Sequence, residues 1–277
     1  MDVFIVLVII GFGVGCLGTL FGAGGGFILV PFLILTHPHL SPEIVTAISL
    51  AIVGANAMSG SLAYAWSKRI DYKAGILFAV FTIPGSILGV YTTKFIPKTF
   101  FNIVFGCLLI LVAFFLFIKK VKTVNHLPRA DKRNWKHHSL TDRHGFHYQY
   151  SYDQNKGILI SVIVGYLSPV LGIGGGIIHV PALTSLLYFP VSVATATSHF
   201  ILAIMSVASI IVHIINGSYN DPGVLRMVAA LCIGVVAGAQ LGAFLSHKIN
   251  GNIIIRALAI CLGLVGARIL LSAFHLI

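Results

Sequence analysis

Two glycine clusters, each set inside an apolar stretch long enough to enter a bilayer, restrict this chain more than any other feature. Gly22, Gly24, Gly25, Gly26, Ile28, Val30, Pro31 and Leu33 recur in register as Gly172, Gly174, Gly175, Gly176, Ile178, Val180, Pro181 and Leu183. Two more landmarks follow in the same order. Thr46, Ala47 and Ser49 return as Thr195, Ala196 and Ser198, and the Gly85/Gly89 pair returns as Gly238/Gly242. Three landmarks in one order mark an internal duplication. Its halves are 1–118 and 157–277, joined by residues 119–156.

Each half follows one hydropathy plan. The glycine-broken stretches cover 3–36 and 157–188. Three unbroken apolar spans follow each, at 44–66, 72–94 and 99–118, then at 192–216, 223–246 and 252–274. A helix crossing the hydrocarbon core needs about 20 residues, so the expected fold is an all-α polytopic membrane protein. Each half is expected to hold a glycine-broken hairpin plus three transmembrane helices. Pro38, Pro42 and Pro190 separate each glycine element from the next span.

Charge agrees with this reading. Only 9% of the 277 residues are charged, against about 25% in soluble domains. That excludes an ordinary soluble enzyme, a disordered chain and a nucleic-acid-binding domain. The net charge of +11 is concentrated in 119–156, which holds nine Lys and Arg against three Asp. Basic loops beside spans stay cytoplasmic, so this segment reads as a basic cytoplasmic linker. Loop 67–73, with Lys68, Arg69 and Lys73, falls on the same side. If each glycine element turns back on itself, the second half is inverted relative to the first and both termini lie outside. Loop 217–222, with Asp221, is then outside and loop 246–251, with Lys248, inside. Lys94 and Lys98 fall outside and oppose the rule. Residues 1–3 lack the basic start of a cleaved signal peptide, so the first apolar run is expected to be retained.

The candidate binding residues come from the repeat. A helix restarting at Gly26 or Gly176 presents unpaired N–H groups and a partial positive charge. Glycine lets a ligand reach that backbone. Gly24, Gly25 and Gly26, with Gly174, Gly175 and Gly176, are therefore expected to face an anion. The competing role is close helix packing. Thr46 and Ser49 share a helix face, as do Thr195 and Ser198, and their hydroxyls suit an oxyanion or a back-bond to the preceding turn. His199 directly follows the second hydroxyl pair and is the strongest candidate for an anion-facing or proton-sensitive group. Asn56, His179, His213 and Gln240 are the other polar groups inside spans.

Other chemistries find little support. Cys16, Cys107, Cys232 and Cys261 lie in apolar runs without Cys-x-x-Cys spacing and read as small buried hydrophobes. His126, His137, His138, His144 and His147 have no compact metal-site spacing. The triple glycines lack the Lys-Ser/Thr of a nucleotide loop. No cofactor, catalytic residue or nucleic-acid partner is expected. The expected partners are a small anionic substrate and the lipid bilayer.

Residues 22–31 and 172–181, with the Thr-Ala-x-Ser stretches at 46–49 and 195–198, resemble the TauE/SafE family of anion permeases, also called the sulfite exporter or toluene-sulfonate-uptake permease family. The likeness covers both halves and omits 119–156. It implies a duplicated permease of the bacterial or archaeal plasma membrane for sulfite, sulfonates and related sulfur-containing anions. The negative cell interior drives an anion outward by about 2.3 kcal/mol per charge per 100 mV. Export therefore needs neither an ATPase domain nor a carboxylate relay. The alternative is a proton-coupled importer of a small organic or sulfur-containing anion, for which the span histidines are the only titratable candidates.

Overall fold

A computed structural model describes residues 2–118, 135–249 and 251–273. The first half contributes α1 (Asp2–Phe21), α2 (Gly26–Thr36), α3 (Pro42–Trp66), α4 (Tyr72–Thr93) and α5 (Lys98–Ile118). Strands β1 (Trp135–Thr141) and β2 (His147–Asp153) follow. The second half contributes α6 (Gln154–Leu171), α7 (Gly176–Ser185), α8 (Val191–Ile215), α9 (Pro222–Lys248) and α10 (Gly251–Ala273). Among the described residues, α1, α3, α4, α5, α8 and α9 are long and apolar enough to cross a membrane, while α2 and α7 are short apolar helices. The chain is a multi-pass membrane protein.

Local chemistry sets the helix starts. Ser41 caps α3, its hydroxyl accepting from Ile44 N at 3.4 Å, with Pro42 in the first turn. Asp71 caps α4, Asp153 caps α6 and Asp221 caps α9 through their carboxylates. Helices α2 and α7 start differently. Their N-caps, Gly25 and Gly175, sit at φ +87° and +76°, in the left-handed region that glycine enters without penalty, and no side chain caps either end.

The two halves interlock rather than form separate cores. Helix α1 packs on α9, α6 on α4, α3 on α8 and α5 on α10, so each large contact joins one half to the other. Glycines set the closest approaches. A Cβ on Gly234 would lie 1.9 Å from Val8 O, on Gly238 2.1 Å from Phe12 O, and on Gly242 2.2 Å from Cys16 O. The partners advance together, so α1 and α9 run in the same direction. Gly85 and Gly89 meet Tyr166, and Gly165 meets Thr82, so α4 and α6 also run in the same direction. The repeated Gly-x-x-x-Gly pairs thus lie on two of the helix contacts that tie the halves together.

Two ends of the bundle are distinguishable. At one, Arg143 N donates to Ser67 O at 3.0 Å, while Tyr150 and Tyr188 bring the β-hairpin to the segment before α8, on Phe189 and Trp135. At the other, Glu43 at the start of α3 pairs with Lys94 at 3.8 Å and accepts from Ser218 Oγ at 3.1 Å. Lys98 Nζ donates to Pro38 O at that same end.

The connector departs from the expected solvated linker and from a purely helical fold. Residues 119–134, including His126, lie outside the described residues. Residues 135–153 form an antiparallel hairpin, with Trp135 opposite Asp153 and Thr141 opposite His147. Strand β2 alternates Tyr148, Tyr150 and Tyr152. Tyr150 and Tyr152 are buried against Phe189, with ring centres 4.5 and 5.0 Å away. Burial of those rings, not backbone charge, fixes the hairpin. Its histidines are engaged as well: His138 on Asp71, His137 on Ser151 and His147 on Thr141. Cys107, expected inside, is exposed on α5.

Candidate functional site

The loops 22–25 and 172–175 meet each other at the centre of the bundle. A Cβ on Gly26 would lie 2.5 Å from Gly172 O, and one on Gly176 would lie 2.3 Å from Gly22 O. The two loops therefore cross in van der Waals contact, each starting its short helix against the other's carbonyl. Val53 of α3 and Leu202 of α8 close over both, since each lies beside Gly24 and Gly174. Six loop glycines adopt positive φ: Gly22, Gly24, Gly25, Gly172, Gly174 and Gly175. Residues 20–27 and 170–177 are buried throughout.

The repeated serines and threonines surround this crossing, but their protons are already committed. Ser49 Oγ donates to Gly172 O at 2.5 Å and Ser198 Oγ donates to Gly22 O at 3.1 Å. Each serine thus ties its helix to the glycine loop of the opposite half. Thr46 Oγ1 donates to Glu43 O at 3.0 Å and Thr195 Oγ1 to Val191 O at 2.8 Å, bonds within their own helices. The four hydroxyls were expected to donate to an anion. In this conformation the two serines hold the loops in place and the two threonines bond back within their own helices, because a hydroxyl has one proton and a buried carbonyl takes it.

The unspent donors lie elsewhere around the same crossing. The N–H groups of Gly25, Gly26 and Phe27 enter no backbone hydrogen bond, as is also true of Gly175, Gly176 and Ile177. Asn56 is fully buried and its Nδ2 has no partner. A Cβ placed on Gly18 would be 2.5 Å from Gly25 N and 2.7 Å from Asn56 Nδ2. Two donors without an acceptor therefore lie close together against Gly18, at the positive end of α2. Around the second loop, Ser168 Oγ and His179 Nε2 are likewise buried without a partner.

His199 belongs to this cluster. Its Nε2 lies 3.2 Å from Thr19 Oγ1, and Thr19 Oγ1 donates to Asn56 Oδ1 at 2.7 Å. With that proton spent, Thr19 accepts from His199, so a neutral His199 carries its proton on Nε2 and leaves Nδ1 as an acceptor. Nδ1 has no partner and the ring is fully buried. Tyr64 stacks edge-on to His199 and donates to Thr19 O at 2.9 Å. This network has no counterpart in the other half, where Leu50 stands in place of His199 and Met205 in place of Asn56.

Thr19 and Tyr64 were missed at the level of sequence. Thr19 precedes the glycine cluster by three residues, and a hydroxyl beside Gly18 in an apolar helix was the available signal. Of the other polar span residues, Gln240 Nε2 donates to Ser59 O at 2.8 Å and serves a helix contact. His213 joins Ser218 at the far end of the bundle.

Comparison with known proteins gives a consistent picture. The family described as Sulfite exporter TauE/SafE matches residues 7–269. The Probable membrane transporter protein YunE of Bacillus subtilis (strain 168) is 33% identical over 274 residues, covering 96% of this chain and 97% of its own. The Probable membrane transporter protein MJ0441 of Methanocaldococcus jannaschii is 28% identical over 275 residues, covering 96% and 94%. A Probable membrane transporter protein of Xylella fastidiosa (strain Temecula1) is 25% identical over 244 residues, covering 88% and 84%. No solved structure matches.

Proposed function

The chain belongs to the TauE/SafE family, and from that premise we propose that this membrane transporter carries small sulfur-containing anions, sulfite or a sulfonate among them, outward down the membrane potential. The reading rests on one observation above the rest. Asn56 Nδ2 and Gly25 N, both buried and without an acceptor, lie close together against Gly18 at the N-terminus of α2. An oxyanion supplies acceptors for both and meets the helix dipole with the favourable sign. Gly24, Gly25 and Gly26 present the backbone, and Gly174, Gly175 and Gly176 present the equivalent turn. Ser49 and Ser198 hold the loops around it through their hydrogen bonds, and Thr46 and Thr195 pack against Gly172 and Gly22.

The halves are proposed to be inverted repeats. Helix α3 runs from the Glu43 end to the hairpin end, α4 returns, and α9 shares the direction of α1. In this reading α1 and α2 enter and leave at the Glu43 end, and α6 and α7 at the hairpin end, their glycine turns meeting near the midplane. Lys68, Arg69, Lys73, Arg143 and Lys248 gather at the hairpin end, which the positive-inside rule makes cytoplasmic.

His199 favours a second reading, proton-coupled uptake. Protonation would turn its bare Nδ1 into a donor inside the anion cluster, so proton and anion would bind together. A pH gradient across vesicles that drives accumulation through wild type and not through His199→Gln selects that reading.

The primary test is binding of sulfite and a panel of sulfonates to purified protein by thermal shift. A lost hydrogen bond to a charged group costs about 1.5–3 kcal/mol, so Asn56→Ala is expected to weaken binding about tenfold or more. Unchanged affinity in Asn56→Ala moves the site away from α2.

A further inference from the structure

The connector between α3 and α4 carries a buried charge without a counter-charge. Arg69 is 2% exposed. Its Nη1 donates to Ser246 Oγ at 3.2 Å, its guanidinium carbon stands 5.7 Å from the centre of the Tyr64 ring, and its Nε has no partner. Among the described residues no carboxylate forms an ion pair with it. A buried cation in that condition costs folding free energy unless something outside the chain completes it.

Arg69 lines a cavity of about 900 Å³ at the hairpin end, between the last turns of α3 and α9 and the hairpin turn. Arg143 and Lys248 are exposed on its wall. Arg143 stacks on Trp66 at 3.7 Å, which fixes that side. Asp142 also lines the cavity, but its carboxylate is spent within the turn. It accepts from His144 N at 2.9 Å, Phe146 N at 3.0 Å and Tyr148 OH at 3.3 Å.

The outer wall is apolar. Leu62, Trp66 and Phe244 are 72%, 73% and 55% exposed, all on helices long enough to span. Such side chains on a spanning helix face acyl chains, not water. The cavity therefore offers a buried guanidinium within, two cations at the rim and an apolar side open to the bilayer. Those are the features that recognise an anionic head on an apolar tail at a basic membrane face.

We infer that this cavity is a binding site for an anionic phospholipid. The phosphodiester takes the Nε and remaining donors of Arg69, Lys248 and Arg143 stand at the rim, and the chains run along Leu62, Trp66 and Phe244. A free phosphate satisfies the guanidinium equally well but leaves the apolar wall unused. The site is independent of the transport reading, since it shares no residue with the glycine crossing.

Native mass spectrometry of the purified full chain, offered phosphatidylglycerol, phosphatidylcholine or glycerol 3-phosphate, tests it. Phosphatidylglycerol is expected to be retained about tenfold or more in preference to phosphatidylcholine, given the strength of charge-assisted hydrogen bonds. Arg69→Gln should abolish that preference and Arg69→Lys keep part of it. Should Arg69→Gln fail to fold, the exposed pair Arg143→Gln with Lys248→Gln carries the test, because neither side chain supports the core. Equal retention of the two lipids overturns the inference, and so does a preference unchanged in both variants. Displacement of phosphatidylglycerol by equimolar glycerol 3-phosphate also overturns it, by showing a site for soluble anions instead.

Discussion

Asp71 does four things at once, and each follows from its position one residue before α4. Its Oδ1 caps the helix on Ala74 N at 3.1 Å. Its Oδ2 accepts from Tyr150 OH and lies against His138 Nδ1, both at 2.5 Å. Its own N–H donates to Thr197 Oγ1 at 3.1 Å. Burial alone pushes this carboxyl up, but the hydrogen bonds from His138, Tyr150 and Ala74 outweigh it and hold the pKa below the ordinary 3.8. The same contacts, with burial first, push the Tyr150 phenol far above its usual range, so it remains a donor. A carboxylate with a depressed folded pKa stabilises fully above its unfolded value and loses that stabilisation as pH falls through the folded value. The contribution of Asp71 should therefore be present above about pH 5 and be lost progressively as pH falls below 3.8 toward the lower folded value. Asn keeps the cap but loses the charge, so the difference in melting temperature between wild type and Asp71→Asn should be flat above that pH and shrink below it. Tyr150→Phe should cost about 1.5–3 kcal/mol and free the hairpin for proteolysis. Superimposable pH profiles for wild type and Asp71→Asn would show that the carboxylate does not anchor the hairpin.

Among the elements, α1 separates glycines that pack from a glycine that does not. Gly234 on α9 has Val8 O of α1 within 1.9 Å of where a Cβ would sit, whereas Gly13 on α1 has nothing within 4 Å. Gly234→Ala should force the helices apart at about 1–3 kcal/mol, the cost of overpacking. Gly13→Ala should instead stabilise by up to about 1 kcal/mol through helix propensity. Melting temperatures of the two variants in one detergent check this, and equal shifts would mean that α1 and α9 are not held at glycine distance. The contrast also shows what the sequence could reveal. The break at residues 22–26 and the restart at Gly26 and Gly176 were legible, because glycine clusters interrupt apolar periodicity. The start of α6 at Gln154 rather than 157 was not, because it depends on Asp153 capping Asn155 and Lys156. The hairpin was legible in principle from Tyr148, Tyr150 and Tyr152 at period two before a capped helix, with Gly145 at φ +84° in the turn. The excess of charge around it pointed to solvent instead. The committed protons of Ser49 and Ser198 were illegible, since their acceptors lie 123 and 176 residues away.

At the scale of the whole molecule, the duplication shows why two halves of one hydropathy plan build a single object. Each glycine turn is completed by the other half: Ser198 binds the first loop, Ser49 the second, and each loop's helix starts on the other's carbonyl. Neither half can satisfy its own central backbone in a medium without water, so separation of the halves is costly. The polar cluster of Thr19, Asn56 and His199 then marks where the pseudo-symmetry is broken. This organisation requires the two ends of the bundle to lie on opposite membrane faces. Single cysteines at Ser139, exposed on β1, and at Asn220, exposed before α9, report those ends in a background lacking the four native cysteines. Ser218, nearer the turn, is buried and unsuited to labelling. A membrane-impermeant thiol reagent added to intact cells should label Asn220→Cys and leave Ser139→Cys untouched until the cells are opened. Labelling of both from outside would place the basic hairpin in the wrong compartment, break the odd parity of each half, and overturn the proposed inverted arrangement of the two halves.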